Sequence, residues 1–197
     1  MKPGTFLLIL SMLLIAQTGF AQKAAAKAKV DYDAFAQLVK EVKEHRQKRL
    51  VSLDAFLKLS EANGVVILDT RSDDMYQRKH IKGALHLNFA DFTQANLAKI
   101  IPAFDTKVLI YCNNNFDGDQ RNFATKAVVP ATALKKNKSL TLALNIPTYI
   151  NLYGYGYRNV YELSELVNVN DPRLKFEGTE VAQPEALPTG VTLMSKR

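Results

Sequence analysis

The clearest feature in the pattern of hydrophobic and polar positions is a pair of strand-like runs at residues 65–69 and 107–112, each apolar except for one charged residue at its end. Such runs are typical of strands that are covered on both faces, as in a parallel sheet. Segments with apolar residues at helical spacing separate these and other strand-like runs. This alternation predicts an α/β fold, with a parallel sheet of about five strands flanked by helices.

The other predicted elements follow from the same periodicities and from their capping residues. Helices are expected to begin at Asp31 or Asp33, at Ser52 or Asp54 and at Asn145, and shorter ones to span residues 72–79 and 92–101. Further strands are expected at residues 50–53, 84–89 and 159–163. After residue 112 the chain is rich in turn formers, and short apolar pieces at 127–134 and 140–144 predict an extended loop or a small hairpin.

The N-terminal segment has the features of a secretory signal peptide. Lys2 precedes an apolar run over residues 6–16, and small residues stand at Gly19 and Ala21. The apolar run is shorter than the roughly 20 residues that a stable membrane span needs. We therefore expect residues 1–21 to be cleaved, leaving an exported protein without a stable membrane anchor. The expected destination is the periplasm, with the cell exterior and an uncleaved anchor as alternatives.

The rest of the chain divides into three predicted regions. Residues 22–49 form a basic leader and an N-terminal amphipathic helix, residues 50–178 a single domain, and residues 179–197 a loose C-terminal tail rich in Pro, Gly and polar residues. The formal net charge of +7 owes much to the leader and the first helix. A solvated surface accounts for this charge, and no aromatic-interleaved basic motif indicates a nucleic-acid partner.

Cys112 is the one cysteine of the chain, so it cannot form an internal disulfide. A lone cysteine is often a small buried hydrophobe. This one, however, ends a central strand, and ligands of parallel sheets bind beyond the carboxyl ends of the strands. The three histidines have no metal-ligand spacing around it. We expect a reactive thiol that works without a metal or another cofactor.

Three ordered segments resemble the rhodanese family. The run at 69–87 is similar to the first rhodanese signature, KVLIYC to the segment that carries the family's nucleophile, and GYRNVYEL to its final helix-to-strand element. The resemblance covers residues 50–178, and exported bacterial rhodanese-like proteins with a similar Tyr-Cys-Asn-Asn-Asn-Phe run are the nearest subgroup. The residues that match the first signature are Asp69, Arg71, Tyr76, His80, Ile81, Gly83 and Ala84.

The resemblance implies a single rhodanese-like domain that transfers sulfur. The Cys112 thiolate would take a sulfane sulfur from a small sulfur-containing anion or a protein thiol, become a persulfide, and pass the sulfur to a nucleophilic acceptor. Asp69 and His80 would support the site structurally. The residues expected to bind substrate are Asn113, Asn114, Asn115, Arg121 and Arg71.

The loop after the cysteine departs from the family pattern. The family's arginine follows its cysteine closely and directly precedes a helix, whereas Arg121 comes nine positions after Cys112. Asp117 and Asp119 in this loop would raise the thiol pKa if they faced the sulfur. Two alternatives therefore stand beside sulfur transfer: an inactive rhodanese-like module that binds a protein partner or an anion, and a cysteine phosphatase.

Overall fold

The computed structural model describes residues 26–128 and 140–181. A compact unit begins at Tyr32, after irregular backbone at residues 26–31. Its helices are α1 (Tyr32–Gln47), α2 (Leu53–Ser60), α3 (Asp73–Arg78), α4 (Gln94–Ile100) and α5 (Asn145–Gly154). Its strands are β1 (Leu50–Val51), β2 (Val66–Asp69), β3 (His80–Ile81), β4 (Leu85–His86), β5 (Val108–Tyr111), β6 (Phe116–Asp117), β7 (Ala127–Val128), β8 (Leu140–Thr141), β9 (Val160–Leu163), β10 (Val167–Asn168) and β11 (Phe176–Glu177).

Five strands form the main sheet, in the order β1-β9-β5-β2-β4, and every pair in it is parallel. The sheet and its flanking helices confirm the predicted α/β fold. In the central pair, Leu68 of β2 lies opposite Ile110 of β5, and both side chains are buried. All four residues of β5 are buried, as the uninterrupted apolar run predicts for a strand covered on both faces.

Each face of the sheet carries its own apolar cluster. Val42 of α1, Leu97 of α4 and Leu152 of α5 belong to the cluster on one face. Phe56 of α2 belongs to the cluster on the other face, together with Phe116 from the segment after β5. The predicted N-terminal helix is therefore a structural part of the domain, because Val42 is fully enclosed in its core.

The segment between β5 and α5 is an insertion with its own strand pairs. Its strand β6 pairs in parallel with β10, and β7 pairs antiparallel with β8. The antiparallel pair confirms the predicted hairpin at its base, while residues 129–139 lie outside the described part of the chain. Phe116 and Phe123 pack their rings together and fix the start of the insertion on the sheet.

Several predicted elements are shorter than expected, and for three of them a capping residue gives the local reason. The strand at 50–53 stops at Val51 because Ser52 caps α2 by accepting a hydrogen bond from the Ala55 amide. The strand predicted at 84–89 covers only Leu85–His86, since the Asn88 side chain caps a following 3-10 turn. The helix predicted at 92–101 begins at Gln94, after the cap residue Thr93.

Backbone hydrogen bonds extend past the predicted domain boundary at residue 178. The amides of Thr179 and Glu180 donate to the carbonyls of Gln77 and Arg78, both at 2.9 Å. The remainder of the predicted tail, from residue 182, lies outside the described residues, as does the predicted signal peptide. Within residues 26–128 and 140–181, no helix is long and apolar enough to cross a membrane.

Candidate active site around Cys112

Cys112 directly follows β5, at the carboxyl edge of the sheet. Its side chain is 1% exposed. The sulfur accepts a hydrogen bond from the backbone amide of Leu144 at 3.3 Å, and the adjoining amide of Asn113 also favours the charged form of the thiol. Leu144 is the cap residue of α5, so one of these amides belongs to the start of a helix and the other follows the end of a strand. Two segments that are distant along the chain thus bring backbone amides close to the sulfur.

The environment of Cys112 raises the pKa of its thiol. Burial is the largest cause, because it disfavours the charged thiolate. The amides of Leu144 and Asn113 act in the opposite direction, while the nearby charges of Asp69 and Arg71 have opposing effects on the thiol. The resting side chain is therefore a protonated thiol at neutral pH.

Asn115 joins three elements beneath the sulfur. Its Oδ1 accepts from the Cys112 amide at 2.9 Å and from the Asn145 side chain at 2.8 Å. Its Nδ2 donates to the carbonyls of Leu163 at 2.7 Å and Glu165 at 3.2 Å. The amide group predicted to bind substrate is therefore engaged in holding the ends of β5 and β9 to the start of α5.

The other two predicted asparagines differ in their surroundings. Asn113 is 1% exposed, and its buried Oδ1 has no hydrogen-bond partner among the described residues. Asn114 is half-buried, and its Oδ1 accepts from the Lys126 amide at 2.8 Å. Of the three, Asn113 is the one whose side chain retains an unused acceptor next to the cysteine.

A cavity of about 350 Å³ lies beside these residues. Cys112 does not line it, although chain neighbours of Leu144 and Asn113 do. Its polar lining includes Asn114, Asn115, Asn145, Arg46, Glu162 and Ser164. Arg46 and Glu162 form a bidentate ion pair with both N–O distances at 2.6 Å, so the two charges compensate each other.

The predicted substrate residue Arg71 lies in a buried network. Its guanidinium forms a bidentate pair with Asp69, the shortest contact being 2.7 Å, and donates to the carbonyls of Asn122 and Lys79 at 2.9 and 2.6 Å. The Tyr111 hydroxyl donates to the same Asp69 carboxylate at 2.6 Å. Arg71 therefore ties the end of β2 to the end of α3 and to the insertion, and Asp69 is the centre of these contacts.

The insertion's charged residues have partners of their own. Arg121 donates to Glu180 at 2.6 Å, and its side chain is 73% exposed. Asp119 contacts the Lys79 ammonium at 3.1 Å and accepts from the Asn122 side chain at 3.1 Å. The structure thus pairs Arg121 with a carboxylate rather than with the thiol, and it directs Asp119 toward a lysine.

His80 lies at the β3–β11 pair. Its Nδ1 is 2.6 Å from the Tyr76 carbonyl and its Nε2 is 3.3 Å from Glu177, while its ring stacks on that of Tyr76. Glu177 also accepts from the Gly83 amide at 2.9 Å. The side chain predicted as structural support therefore connects the first signature segment to the C-terminal strand. In residues 26–128 and 140–181, no cluster of His, Cys, Asp or Glu is arranged to hold a metal ion.

Comparison with known proteins decides the family. The model of the Rhodanese-like domain family matches residues 52–165, which is more than half of the chain. The chain belongs to the rhodanese-like domain family. Among solved structures, the BH2092 protein of Bacillus halodurans is 15% identical, with 75% of this chain and 86% of that chain covered at a TM-score of 0.43. The Rhodanese_3-like domain of the Alr3790 protein of Anabaena sp. is 17% identical, and the match covers 62% of this chain and 99% of that chain at a TM-score of 0.35. No curated protein matches.

The rhodanese-like match begins at Ser52, so α1 lies outside it. That helix nevertheless supplies Arg46 to the cavity beside the cysteine. Sequence reasoning missed this residue and its partner Glu162. A signal was present, because a lone carboxylate in the apolar strand β9 requires a buried partner. The Leu144 amide had no such signal, since a backbone donor has no residue type to reveal it.

Proposed function

We propose that this rhodanese-like domain is a sulfurtransferase or persulfide carrier in which Cys112 accepts the sulfur. The observation that carries the proposal is the backbone amide of Leu144, which donates to the sulfur at 3.3 Å at the end of the central strand, beside the amide of Asn113. Amide donors stabilise negative charge on sulfur, both in the attacking thiolate and when it leaves the persulfide.

The reaction has two steps. The thiol first loses its proton to solvent, and the thiolate attacks the outer sulfur of a sulfane donor such as thiosulfate. A new S–S bond forms at Cys112 while the donor's own S–S bond breaks, releasing sulfite in the case of thiosulfate. A nucleophilic acceptor then takes the terminal sulfur and the Cys112 thiolate is restored.

A second candidate is an inactive rhodanese-like module that binds a protein partner. The observations that favour it are the 1% exposure of Cys112 and the raised pKa of its thiol. Rhodanese-like domains include inactive forms. The pairing of Arg121 with Glu180 also weighs against a phosphatase, whose cysteine loop needs an arginine for the phosphate.

Persulfide formation separates these candidates. Mature protein is incubated with thiosulfate and, separately, with glutathione persulfide, and its intact mass is compared with that of Cys112→Ser. We expect the mass of the native chain, and not that of Cys112→Ser, to increase by one sulfur atom. We also expect the native chain to form thiocyanate when cyanide is added. If no donor adds sulfur, although iodoacetamide labels Cys112 in urea, the inactive module is correct. Aryl phosphate hydrolysis that disappears in Cys112→Ser would instead establish a phosphatase.

We also propose that residues 1–21 direct export to the periplasm. The basic, apolar and small-residue order of this segment supports the proposal. N-terminal sequencing of the protein from a periplasmic fraction is expected to start at Gln22. Recovery of chains that begin at Met1 in the cytoplasmic fraction would refute export.

A further inference from the structure

Four cations lie at the edge of the sheet opposite Cys112, and we call them the basic edge: Lys48, Arg49, Lys107 and Arg158. Lys48 and Arg49 precede β1, Lys107 directly precedes β5, and Arg158 comes shortly before β9. These three strands are neighbours and run parallel, so the residues before them meet at the same edge.

The ring of Tyr161 lies among the cations of the basic edge. The Arg49 guanidinium carbon is 5.0 Å from the centroid of this ring, and the Lys107 ammonium is 6.0 Å from it. Both cations are half-buried. Two positive charges are thus held at fixed positions over an aromatic surface.

The cations of the basic edge lack direct carboxylate partners among the residues that the structure describes. None of the four cations forms an ion pair with a carboxylate in the part of the chain that the structure describes. Arg49 instead donates to two neutral groups, His45 Nε2 at 3.2 Å and Asn159 Oδ1 at 3.4 Å.

Three cations of the basic edge also act on the pKa of His45. Burial lowers the pKa first, and the charges of Arg49, Arg158 and Lys48 lower it further. Like charges held together destabilise the free protein, and an anionic ligand relieves the repulsion.

Two concave sites adjoin at Arg49. One, of about 310 Å³, is lined by His45, Lys48, Arg49 and Tyr161. The other, of about 350 Å³, has Arg49, Arg158, Asn159, Phe104, Asp105 and Gly156 in its lining. Asp105 is the one acidic residue among these lining residues, whereas three of them are cationic: Lys48, Arg49 and Arg158. The pair of sites therefore offers neighbouring positive concavities with an aromatic ring in each.

We propose that the basic edge docks an acidic peptide segment of a partner protein. Carboxylate side chains would enter the two sites and pair with Arg49 between them, while their apolar stems pack on Tyr161 and Phe104. Separate concave sites suit side chains that project from a peptide, whereas a bilayer surface is engaged by protruding side chains. Charge complementarity is thus the basis of this assignment.

The docking site lies apart from the site of sulfur chemistry. Lys107 directly precedes β5 at the basic edge, and Cys112 directly follows the strand at the carboxyl edge. A partner bound at one edge leaves the other edge accessible. The inference therefore does not depend on whether Cys112 transfers sulfur.

Peptide binding tests the proposal. The anisotropy of a fluorescein-labelled, Glu-rich peptide is titrated with wild-type protein and with the double variant Lys48→Gln/Lys107→Gln, whose side chains make no described hydrogen bonds. We expect the double variant to bind about tenfold more weakly. The matched control, Lys58→Gln/Lys99→Gln, loses the same net charge from exposed sites elsewhere and is expected to stay within about twofold of wild type.

Several outcomes would overturn the proposal. Equal loss in the matched control would show that net charge alone attracts the peptide. Binding to phosphatidylserine vesicles or to an oligonucleotide, with none to the peptide, would assign the surface to a membrane or a nucleic acid. The variant Arg49→Gln/Arg158→Gln must reproduce the loss. Cys112→Ser must bind the peptide as wild type does, which separates this result from any failure of sulfur transfer.

Discussion

Replacing Arg46 with methionine removes one partner of the buried ion pair that joins α1 to the sheet. Glu162 is 3% exposed, and both of its oxygens accept from Arg46 at 2.6 Å. Methionine keeps most of the apolar stem that packs on the domain. The substitution therefore tests the charge rather than the packing.

The cost follows from the burial of the carboxylate. Breaking a buried ion pair from one side costs about 3–5 kcal/mol, because the remaining charge is left without compensation. The Arg46 side chain is 23% exposed, so water reaches its end of the pair and the lower limit, about 3 kcal/mol, applies. In a domain of this size, that loss lowers Tm by about 6–12 °C.

Urea unfolding followed by circular dichroism measures this loss of unfolding free energy. Adding Glu162→Gln to Arg46→Met is expected to restore at least about 1 kcal/mol, since the unpaired charge is gone. The control is Arg173→Met, which breaks surface pairs with Asp54 and Asp171 and is expected to leave the unfolding midpoint almost unchanged. Equal costs for the two single variants would refute the argument that α1 is held to the sheet by a buried charge.

Three further predictions concern single side chains. Native Cys112 is expected to react with iodoacetamide at least about tenfold more slowly than Cys112 of the chain unfolded in urea. The reaction rate of the native chain should still increase above pH 9.0, because burial raises the pKa of the thiol. A fast reaction of the native chain at neutral pH would contradict the burial of the thiol. Tyr111→Phe leaves Asp69 without a hydroxyl donor and is expected to cost about 1–3 kcal/mol in urea unfolding, whereas Tyr161→Phe should cost almost nothing. Burial lowers the pKa of His45 below its ordinary value of 6.5, so the unfolded chain binds the proton more readily and stability falls as the pH drops below 6.5. His45→Gln should flatten this slope, and an unchanged slope would locate the titration elsewhere.

The main sheet could be predicted from the sequence because its strands carry strong local signals. The apolar runs that became β2 and β5 are bounded by polar residues and are buried on both faces. The boundaries of the shortened elements were harder to predict. A single capping residue such as Ser52 or Thr93 sets where a helix begins, even where the hydrophobic periodicity indicates a different boundary.

The residues of the candidate site could be predicted only where the residue type itself indicates its chemistry. Cys112 was identified from its place at a strand end, and the structure puts it there. The roles of Asn115 and Arg121 depend on contacts across the fold, with Leu163 and Glu180, which no local pattern specifies. Polar side chains near a site either support it or bind ligand, and only their partners distinguish the two.

The amide of Leu144 reaches the sulfur across a separation of 32 residues along the chain. Where a cysteine loop closes directly into its helix, local backbone geometry fixes how many donors surround the sulfur. Here the insertion after β5 brings the Leu144 amide into place, so the insertion contributes to the acidity of the thiol alongside the burial that raises its pKa. Changes in this insertion thus offer a way to alter sulfur reactivity while the sheet that carries the cysteine stays the same.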